Sequence, residues 1–387
     1  MCKILISRSG KRWRRRVQFC KDKDGSIPRC PRARASRIRT RRRSSNRELE
    51  GVVIPCLSRR KPCPLPGPIR LLINHGWLGV DLFFVLSGFL ITGILLETKN
   101  KPSYFKNFYA RRALRILPVY LCAILAMWIC YHGFSEFFIL SLAFLANFNN
   151  LLHVAYPLGG SVLWSLAVEE HFYMIWPVLV RFTSTKALVV IGVALVATET
   201  TVRGIGIAHG IDTYELSWFR FDSLAFGALI AVFVHSRYCS PKSCIRLAGA
   251  LVLIAAVVTV AAAPFGALRT GSPVSSTLRY AHAYVIFGAS ILLLGALQGD
   301  PWTAVFRSRF ARVSADLSYC IYLIHLAIFD GYYRSVAPFR PWLSAKLGNF
   351  GEAAVGAVVI LSITFILASL SRRFLEKPFL RLKDKFA

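Results

Sequence analysis

The stretch that decides the fold is residues 76–118, GWLGVDLFFVLSGFLITGILLETKNKPSYFKNFYARRALRILP, which joins a long apolar segment to a basic one. Residues 80–96 are predominantly apolar and, with residues 77–79, reach about 20 residues, the length that a ~30 Å hydrocarbon core requires. Basic residues begin at Lys99 and continue to Arg115. The stretch therefore predicts a membrane-spanning helix that is followed by a positively charged segment.

Three arginines of the basic segment are predicted to share one face of a helix. At about 100° per residue, Arg111, Arg112 and Arg115 fall within one arc of about 100°. Guanidinium groups match the geometry of phosphate oxygens, so the cluster indicates a site for a phosphate-rich anion at the membrane surface. The alternative is that these charges only fix the topology, because basic residues concentrate in cytoplasmic loops.

Apolar segments of similar length continue along the chain, and 55% of the 387 residues are hydrophobic. The predicted fold class is therefore all-α, a polytopic helical integral membrane protein. We predict nine spans, at residues 78–96, 113–132, 161–182, 187–208, 217–235, 244–264, 279–298, 317–336 and 352–371.

Residues 134–160 lie between the second and third spans and are predicted not to cross the membrane. The apolar run 134–147 is too short for a span and contains Glu136, so the segment is interpreted as re-entrant or interfacial. With this choice the charged loops alternate as the positive-inside tendency requires. The loops predicted inside are 97–112, 181–186, 237–242, 307–312 and 372–385, and those predicted outside are 133–160, 209–216, 265–278 and 337–351.

Three adjacent ionisable residues, Glu169, Glu170 and His171, fall in the middle of the predicted span 161–182. A charge at the bilayer centre costs about 2.5–3.5 kcal/mol by insertion scales, so these groups need partners or a water-filled cavity. A hydrogen-bonded packing cluster would meet that need. The functional interpretation is a site that binds an acceptor or transfers a proton.

Four further polar residues lie in or near predicted spans. Asp81 is near the outer end of the first span, either as an interfacial residue or as part of a site. Arg220 and Asp222, two residues apart, are interpreted as a neutralising pair at the outer end of their span. His325 follows Tyr319 and Tyr322 at helical spacing, as a packing group or as a base.

Five motifs, in order, resemble those of the bacterial membrane acyltransferase 3 family. The first is residues 76–118, and the others are LWSLAVEEHFYMIWP at 163–177, FRFDSLAFG at 219–227, LSYCIYLIH at 317–325 and EKPF at 376–379. The resemblance implies an inner-membrane enzyme that moves an acyl group, often acetyl, from cytoplasmic acyl-CoA to a carbohydrate hydroxyl. It covers about residues 75–380, which we assign as a membrane acyltransferase domain.

The resemblance also implies roles for the candidate residues. Arg111, Arg112 and Arg115 would bind the phosphates of acyl-CoA, and the base would come from Glu169, Glu170 or His325. The base of the family is a His on a first membrane helix, eleven residues after an Arg, and that helix should precede residue 75. No such helix stands in the sequence, so nine of an expected ten spans are present and an inactive chain is an alternative.

Residues 1–70 differ in composition from the rest of the chain. They contain 22 Lys or Arg against four Asp or Glu and are rich in proline near their end. Such a basic, low-complexity segment is predicted to be disordered. Three interpretations compete: a genuine basic tail for nucleic acid or anionic lipid, an organellar transit peptide, and a wrong-frame translation of the true 5′ region of the gene.

A second class of function is a transporter or flippase for an anionic or lipid-linked substrate. It would use the arginine cluster to bind its substrate and would neither bind nor consume acyl-CoA. The expected partners are membrane lipids and a carbohydrate or lipid-linked acceptor, with no nucleic acid. No metal is expected, because Cys239 and Cys244 have no nearby His or Cys pair.

Overall fold

The computed structural model describes residues 75–382, so the predictions for residues 1–70 lie outside the described part of the chain. Every regular element within it is helical, which confirms the all-α class. The α-helices are α1 (Leu78–Thr98), α2 (Tyr104–Cys130), α3 (Ser135–Leu142), α4 (Leu163–Phe182), α5 (Thr185–Ala208), α6 (Phe221–Val234), α7 (Pro241–Ala261), α8 (Pro273–Ala296), α9 (Arg309–Val336), α10 (Arg340–Ser371) and α11 (Lys377–Leu382).

Six helical stretches among the described residues are long and apolar enough to cross a membrane. They are α1, α2, α5, α7, α8 and the continuous run Arg309–Leu382, which contains both α9 and α10. A helix occupies each of the nine predicted segments, but the count of nine spans is not confirmed. Helix α6 has 14 residues and is only about 21 Å long, which is shorter than a ~30 Å hydrocarbon core.

Helices α1 and α6 pack backbone against backbone at two glycines. A Cβ atom on Gly88 of α1 would overlap the carbonyl group of Leu224 in α6, and a Cβ on Gly227 would overlap that of Val85. Small residues at such crossings let membrane helices approach closely enough for extensive van der Waals contact. The short helix α6 is thereby held inside the bundle, where most of its residues are buried.

Helix α4 lies at the centre of the packing. Its Trp164 and Trp176 pack in a core with residues of α1, α2 and α6, while its Leu166 packs in a second core with α2, α3 and α9. The indole Nε1 of Trp176 donates to Thr92 Oγ1 of α1 at 2.8 Å. Twelve of the 20 residues of α4 are buried, so its ionisable side chains have protein rather than lipid as their surroundings.

Contacts between loops sort them onto two ends of the bundle. At one end, Lys99 Nζ donates to the carbonyl oxygen of Thr183 at 2.6 Å, and Glu97 Oε1 lies 3.3 Å from His235 Nε2. At the other end, Asn150 Nδ2 donates to Glu215 Oε2 at 2.9 Å. This grouping agrees with the predicted alternation of the loops near residues 97–112, 181–186 and 237–242 against 133–160 and 209–216.

The segment between α2 and α4 begins and ends near the same part of α9. The hydroxyl of Tyr131 donates to Asp330 Oδ2 at 2.7 Å, and Gly159 packs against Ala327 in the same half of α9. Helix α3 has eight residues and is only about 12 Å long. As predicted, the segment 134–160 does not cross the bundle.

Candidate active site

The arginine Arg112 of α2 contacts both central carboxylates of α4. Its Nη2 lies 2.8 Å from Glu169 Oε1, and its Nε lies 3.4 Å from Glu170 Oε1. The guanidinium carbon lies 3.2 Å from the centroid of the Tyr173 ring, in cation–π contact. Arg112 therefore supplies, from within the bundle, the partner that these two mid-span carboxylates were expected to need.

The carboxylate of Glu169 is held from several directions. The hydroxyls of Ser87 and Tyr173 both donate to its Oε1, and the two hydroxyl oxygens also contact each other. Only 5% of the Glu169 side chain is exposed, against 21% for Glu170. Glu169 is thus fixed in place, while Glu170 is the more accessible of the two carboxylates.

Sequence reasoning did not assign Ser87 or Tyr173 to this site. The signal for Tyr173 is its position four residues after Glu169, which places the two side chains on one face of α4. Ser87 is one of the few polar residues within the apolar α1, and nothing in the sequence marks it further. Its partner across 82 residues could not be identified without the fold.

The predicted pairing of Arg220 with Asp222 is wrong. Arg220 Nη2 lies 2.5 Å from Asp81 Oδ1 of α1, whereas Asp222 Oδ2 lies 2.7 Å from Arg203 Nη1 of α5. Residues two apart on a helix point about 200° away from each other, so Arg220 and Asp222 face different neighbours. Both ion pairs are completely buried, and Asp81 is therefore a structural partner inside the bundle.

Aromatic rings surround the buried arginine Arg220. The guanidinium carbon lies 4.9 Å from the ring centroid of Tyr280, and the rings of Phe84, Trp164 and Tyr214 lie between 5.3 and 5.8 Å away. Such rings compensate part of the cost of burying a cation. This polar layer holds α1, α5, α6 and α8 together beside the Arg112 site.

Glu199 and Arg203 are also part of the buried polar layer, and sequence reasoning missed both. Glu199 Oε2 accepts from the backbone N–H of Asp222 at 2.7 Å, and Arg203 donates to the carbonyl oxygen of Phe219. The signal that could have identified them is an acidic and a basic residue four apart inside the apolar segment 187–208.

His171 points away from the carboxylates that precede it. Its Nδ1 lies 2.8 Å from Ser217 Oγ, which also accepts a hydrogen bond from Asn147 Nδ2 at 3.0 Å. The imidazole ring packs at 6.0 Å from the ring of Phe148. His171 therefore connects α4 to the two loops that carry Ser217 and Asn147. These loops lie at the end of the bundle that is predicted from the charge pattern to be outside.

His325 lies on α9, half-buried, with its Nδ1 2.8 Å from the carbonyl oxygen of Tyr322. The hydroxyl of Tyr322 lies 2.6 Å from Ser165 Oγ, which joins α9 to α4 one turn before Glu169. Among the described residues, no hydrogen bond or ion pair joins His325 to Arg112, Glu169 or Glu170. The structure therefore does not place the predicted imidazole within the carboxylate cluster.

The three clustered arginines diverge. Arg111 lines a small cavity of about 40 Å³ with Lys101, and its buried Nε has no hydrogen-bond partner among the described residues. Arg112 turns into the bundle, as described above. Arg115 is exposed and interacts electrostatically with Glu376 and Glu169. A shared arc of about 100° is wide enough to direct neighbouring side chains to different targets.

Residues 75–382 contain no group of three or more His, Cys, Asp or Glu side chains arranged to hold a metal ion. The chemistry that the described residues offer is instead that of paired carboxylates, hydroxyls and guanidinium groups. A carboxylate of this kind accepts a proton, and a guanidinium stabilises a developing negative charge.

Comparisons with known proteins agree with this chemistry. The family described as "Acyltransferase domain" matches residues 66–369 of the chain. The peptidoglycan O-acetyltransferase OatA of Listeria monocytogenes is 29% identical over 348 residues, which cover 78% of this chain and 51% of that protein. The Bacillus subtilis protein YrhL, provisionally named a peptidoglycan O-acetyltransferase, is 28% identical over 341 residues, or 79% of this chain and 50% of that protein.

A third relative is an uncharacterized protein of Haemophilus influenzae, 32% identical over 181 residues, or 40% of this chain and 74% of that protein. The chain thus spans about half the length of the two named relatives that it matches. No solved structure matches the chain.

Proposed function

Since the chain belongs to the acyltransferase-domain family and is a multi-pass membrane protein, we propose that it is an O-acyltransferase of the inner membrane. It would move an acyl group, in the simplest case acetyl, from acyl-CoA to a hydroxyl of cell-wall carbohydrate. The observation that carries the proposal is the similarity to two proteins named for peptidoglycan O-acetylation. These comparisons do not favour a transporter or flippase.

A cationic cavity at one end of the bundle supports binding of the donor. Arg111 and Lys101 both line it, together with Asn107 and Tyr104. The Nε of Arg111 has no hydrogen-bond partner in the described part of the chain, so this guanidinium has hydrogen-bonding capacity left for a phosphate oxygen. The cavity lies at the end of the bundle that is predicted to be cytoplasmic from its basic loops, the side on which acyl-CoA would be supplied.

The central carboxylates support acyl transfer with divided roles. Glu170 is the more accessible carboxylate and would take the proton of the acceptor hydroxyl. At the same time the oxygen of that hydroxyl would attack the carbonyl carbon of the thioester. The C–O bond forms, the C–S bond breaks, and the CoA thiolate leaves and takes up a proton. Arg112 would stabilise the oxyanion, and Glu169, held by Ser87 and Tyr173, would position Arg112.

The direct test uses the full chain, purified and reconstituted in lipid vesicles. It is supplied with isotopically labelled acetyl-CoA and soluble peptidoglycan fragments, and acetylated fragments are measured by mass spectrometry. We expect transfer by the unaltered chain, loss of transfer in Glu170→Gln, and retention in Glu136→Gln, because Glu136 is exposed on α3 and is not an ion-pair partner of Arg112 among the described residues. Correctly folded protein without transfer would refute the proposal for this chain.

A further inference from the structure

A second cavity lies at the opposite end of the bundle from Arg111 and Lys101. It has a volume of about 220 Å³ and is formed by the loop after α3 and the loop between α5 and α6. Its polar lining comes from Asn147, Asn150, His153, Asp212 and Glu215, and none of these residues takes part in the Arg112 site. The volume lies below the ~300–1,000 Å³ of pockets for drug-sized ligands, which suits a single small ring.

The amide of Asn147 gives this cavity an unsatisfied hydrogen-bonding group. The residue is completely buried, its Nδ2 donates to Ser217, and its Oδ1 has no hydrogen-bond partner within residues 75–382. Buried polar atoms in folded proteins are almost always paired, and leaving one unpaired costs about 1–3 kcal/mol. An acceptor of this kind on the cavity wall indicates a ligand that donates a hydrogen bond.

Hydrogen bonds also fix the two carboxylates on the acidic side of the cavity. Asn150 Nδ2 donates to Glu215 Oε2 at 2.9 Å and lies 3.5 Å from Asp212 Oδ2, so it links the two carboxylates. Asp212 Oδ1 accepts from the backbone N–H of Tyr214 at 3.0 Å, which fixes its loop. Carboxylate and amide oxygens together form a wall of acceptors, while Leu151 and Ile211 supply apolar surface.

We propose that this cavity binds one sugar unit of the acceptor glycan through the hydroxyl groups of the sugar. The inference rests on the proposed function, because that function supplies a carbohydrate acceptor. Sugar hydroxyls are donors for Asn147, Asp212 and Glu215, and the apolar C–H face of a sugar ring suits Leu151 and Ile211. A metal ion is a poorer match, since the described residues hold no cluster arranged for one.

The cavity is connected to α4 through one hydroxyl. Ser217 Oγ contacts both Asn147 of the cavity wall and His171 Nδ1, and His171 directly follows Glu170. A sugar unit held by Asn147 is therefore placed next to the segment that carries the proposed base. This connection gives the cavity a role in positioning the acceptor, separate from the binding of acyl-CoA at the other end of the bundle.

The test measures sugar binding without catalysis. The full chain in lipid nanodiscs is titrated with the N-acetylglucosamine–N-acetylmuramic acid disaccharide, without acetyl-CoA, and binding is followed by calorimetry. We expect saturable binding that is weakened about tenfold or more in Asp212→Asn and in Glu215→Gln, because each loses an ionised acceptor. Glu136→Gln, an exposed residue at the same end that does not line the cavity, should bind as the unaltered chain does.

A second readout separates this inference from the proposed function. Glu170→Gln should lose acetyl transfer but keep binding of the disaccharide, whereas Asp212→Asn should raise the KM for the acceptor and leave acetyl-CoA affinity unchanged. Transfer that is unaffected in Asp212→Asn and Glu215→Gln would overturn the inference alone. Disaccharide binding without transfer in the unaltered chain would overturn the proposed function alone. Binding of calcium but not of the disaccharide would also overturn the inference.

Discussion

Arg112 of α2 lies 2.8 Å from Glu169 of α4, and this ion pair joins the basic segment after the first span to the helix at the centre of the packing. Only 14% of the Arg112 side chain and 5% of the Glu169 side chain are exposed. Breaking such a pair on one side leaves a charge with little solvent, which is far more costly than losing a surface contact.

Arg112→Ala should therefore destabilise the protein as well as abolish transfer. The stranded Glu169 carboxylate should cost about 3–5 kcal/mol, the range observed when one partner of a buried pair is removed. In Arg112→Ala/Glu169→Gln the most buried charge is also removed and only the more exposed Glu170 lacks its partner, so part of the stability should return although activity does not. Thermal unfolding in detergent measures the difference. Equal unfolding midpoints for the single and double variants would show that the pair does not carry this energy.

The acyl-CoA site is expected at Arg111 and Lys101 rather than at Arg112. Arg111→Ala and Lys101→Ala should each weaken acetyl-CoA binding, because each lost charge-assisted contact is worth about 1.5–3 kcal/mol. Lys106→Ala is the matched control, since Lys106 is exposed on the same helix as Arg111 but does not line the cavity. Binding isotherms of the purified variants decide the matter. A loss in Lys106→Ala equal to that in Arg111→Ala would indicate general electrostatic attraction only.

Residue spacing predicted the elements of this fold better than the contacts between them. The apolar lengths located all nine long or buried helices, and the short apolar run at Glu136 correctly predicted a segment that does not cross. The predicted pairing of Arg220 with Asp222 was wrong because side chains two residues apart point in nearly opposite directions on a helix. Their true partners, Asp81 and Arg203, lie on other helices, and only the packing of α1 and α5 against α6 brings them close.

The candidate site was likewise only partly predictable. Glu169, Glu170 and His171 were marked by the cost of ionisable groups in a span, but periodicity could not show that His171 turns towards Ser217 while the carboxylates turn towards Arg112. The cavity lined by Asp212 and Glu215 was missed because its lining comes from two loops with no regular sequence pattern. Loops carry functional residues without the periodic signal that helices provide.

The buried pair of Asp81 and Arg220 should act as a structural connection and not as part of the acyl-transfer chemistry. Arg220→Met should reduce folded yield, because Asp81 would remain as an uncompensated buried charge at a cost of about 3–5 kcal/mol. Asp81→Asn/Arg220→Met should recover much of that loss and keep transfer. Size-exclusion profiles and acetyl transfer of the double variant provide the measurement. A well-folded double variant without activity would instead assign the pair to the reaction.

Disaccharide binding in the cavity lined by Asp212 and Glu215 is predicted to depend on pH. Burial, and then the nearby charge of Asp212, raise the pKa of Glu215 from its ordinary value to about 7. The carboxylate accepts hydrogen bonds fully only when ionised, so affinity for the disaccharide should be low below pH 6, rise through about pH 7 and level off above it. Binding titrations across this range should show the rise in the unaltered chain and a flat profile in Glu215→Gln.

Asp212 and His153 are the other titratable groups that line the cavity. A substitution of His153 provides the control for this pH profile. His153 has a positive φ of 58°, so His153→Asn is the suitable substitution, because Asn tolerates that backbone conformation. The rise near pH 7 should persist in His153→Asn if Glu215 is the titrating group. A profile that becomes flat in His153→Asn and stays sloped in Glu215→Gln would assign the pH dependence to the imidazole and contradict the role given to Glu215.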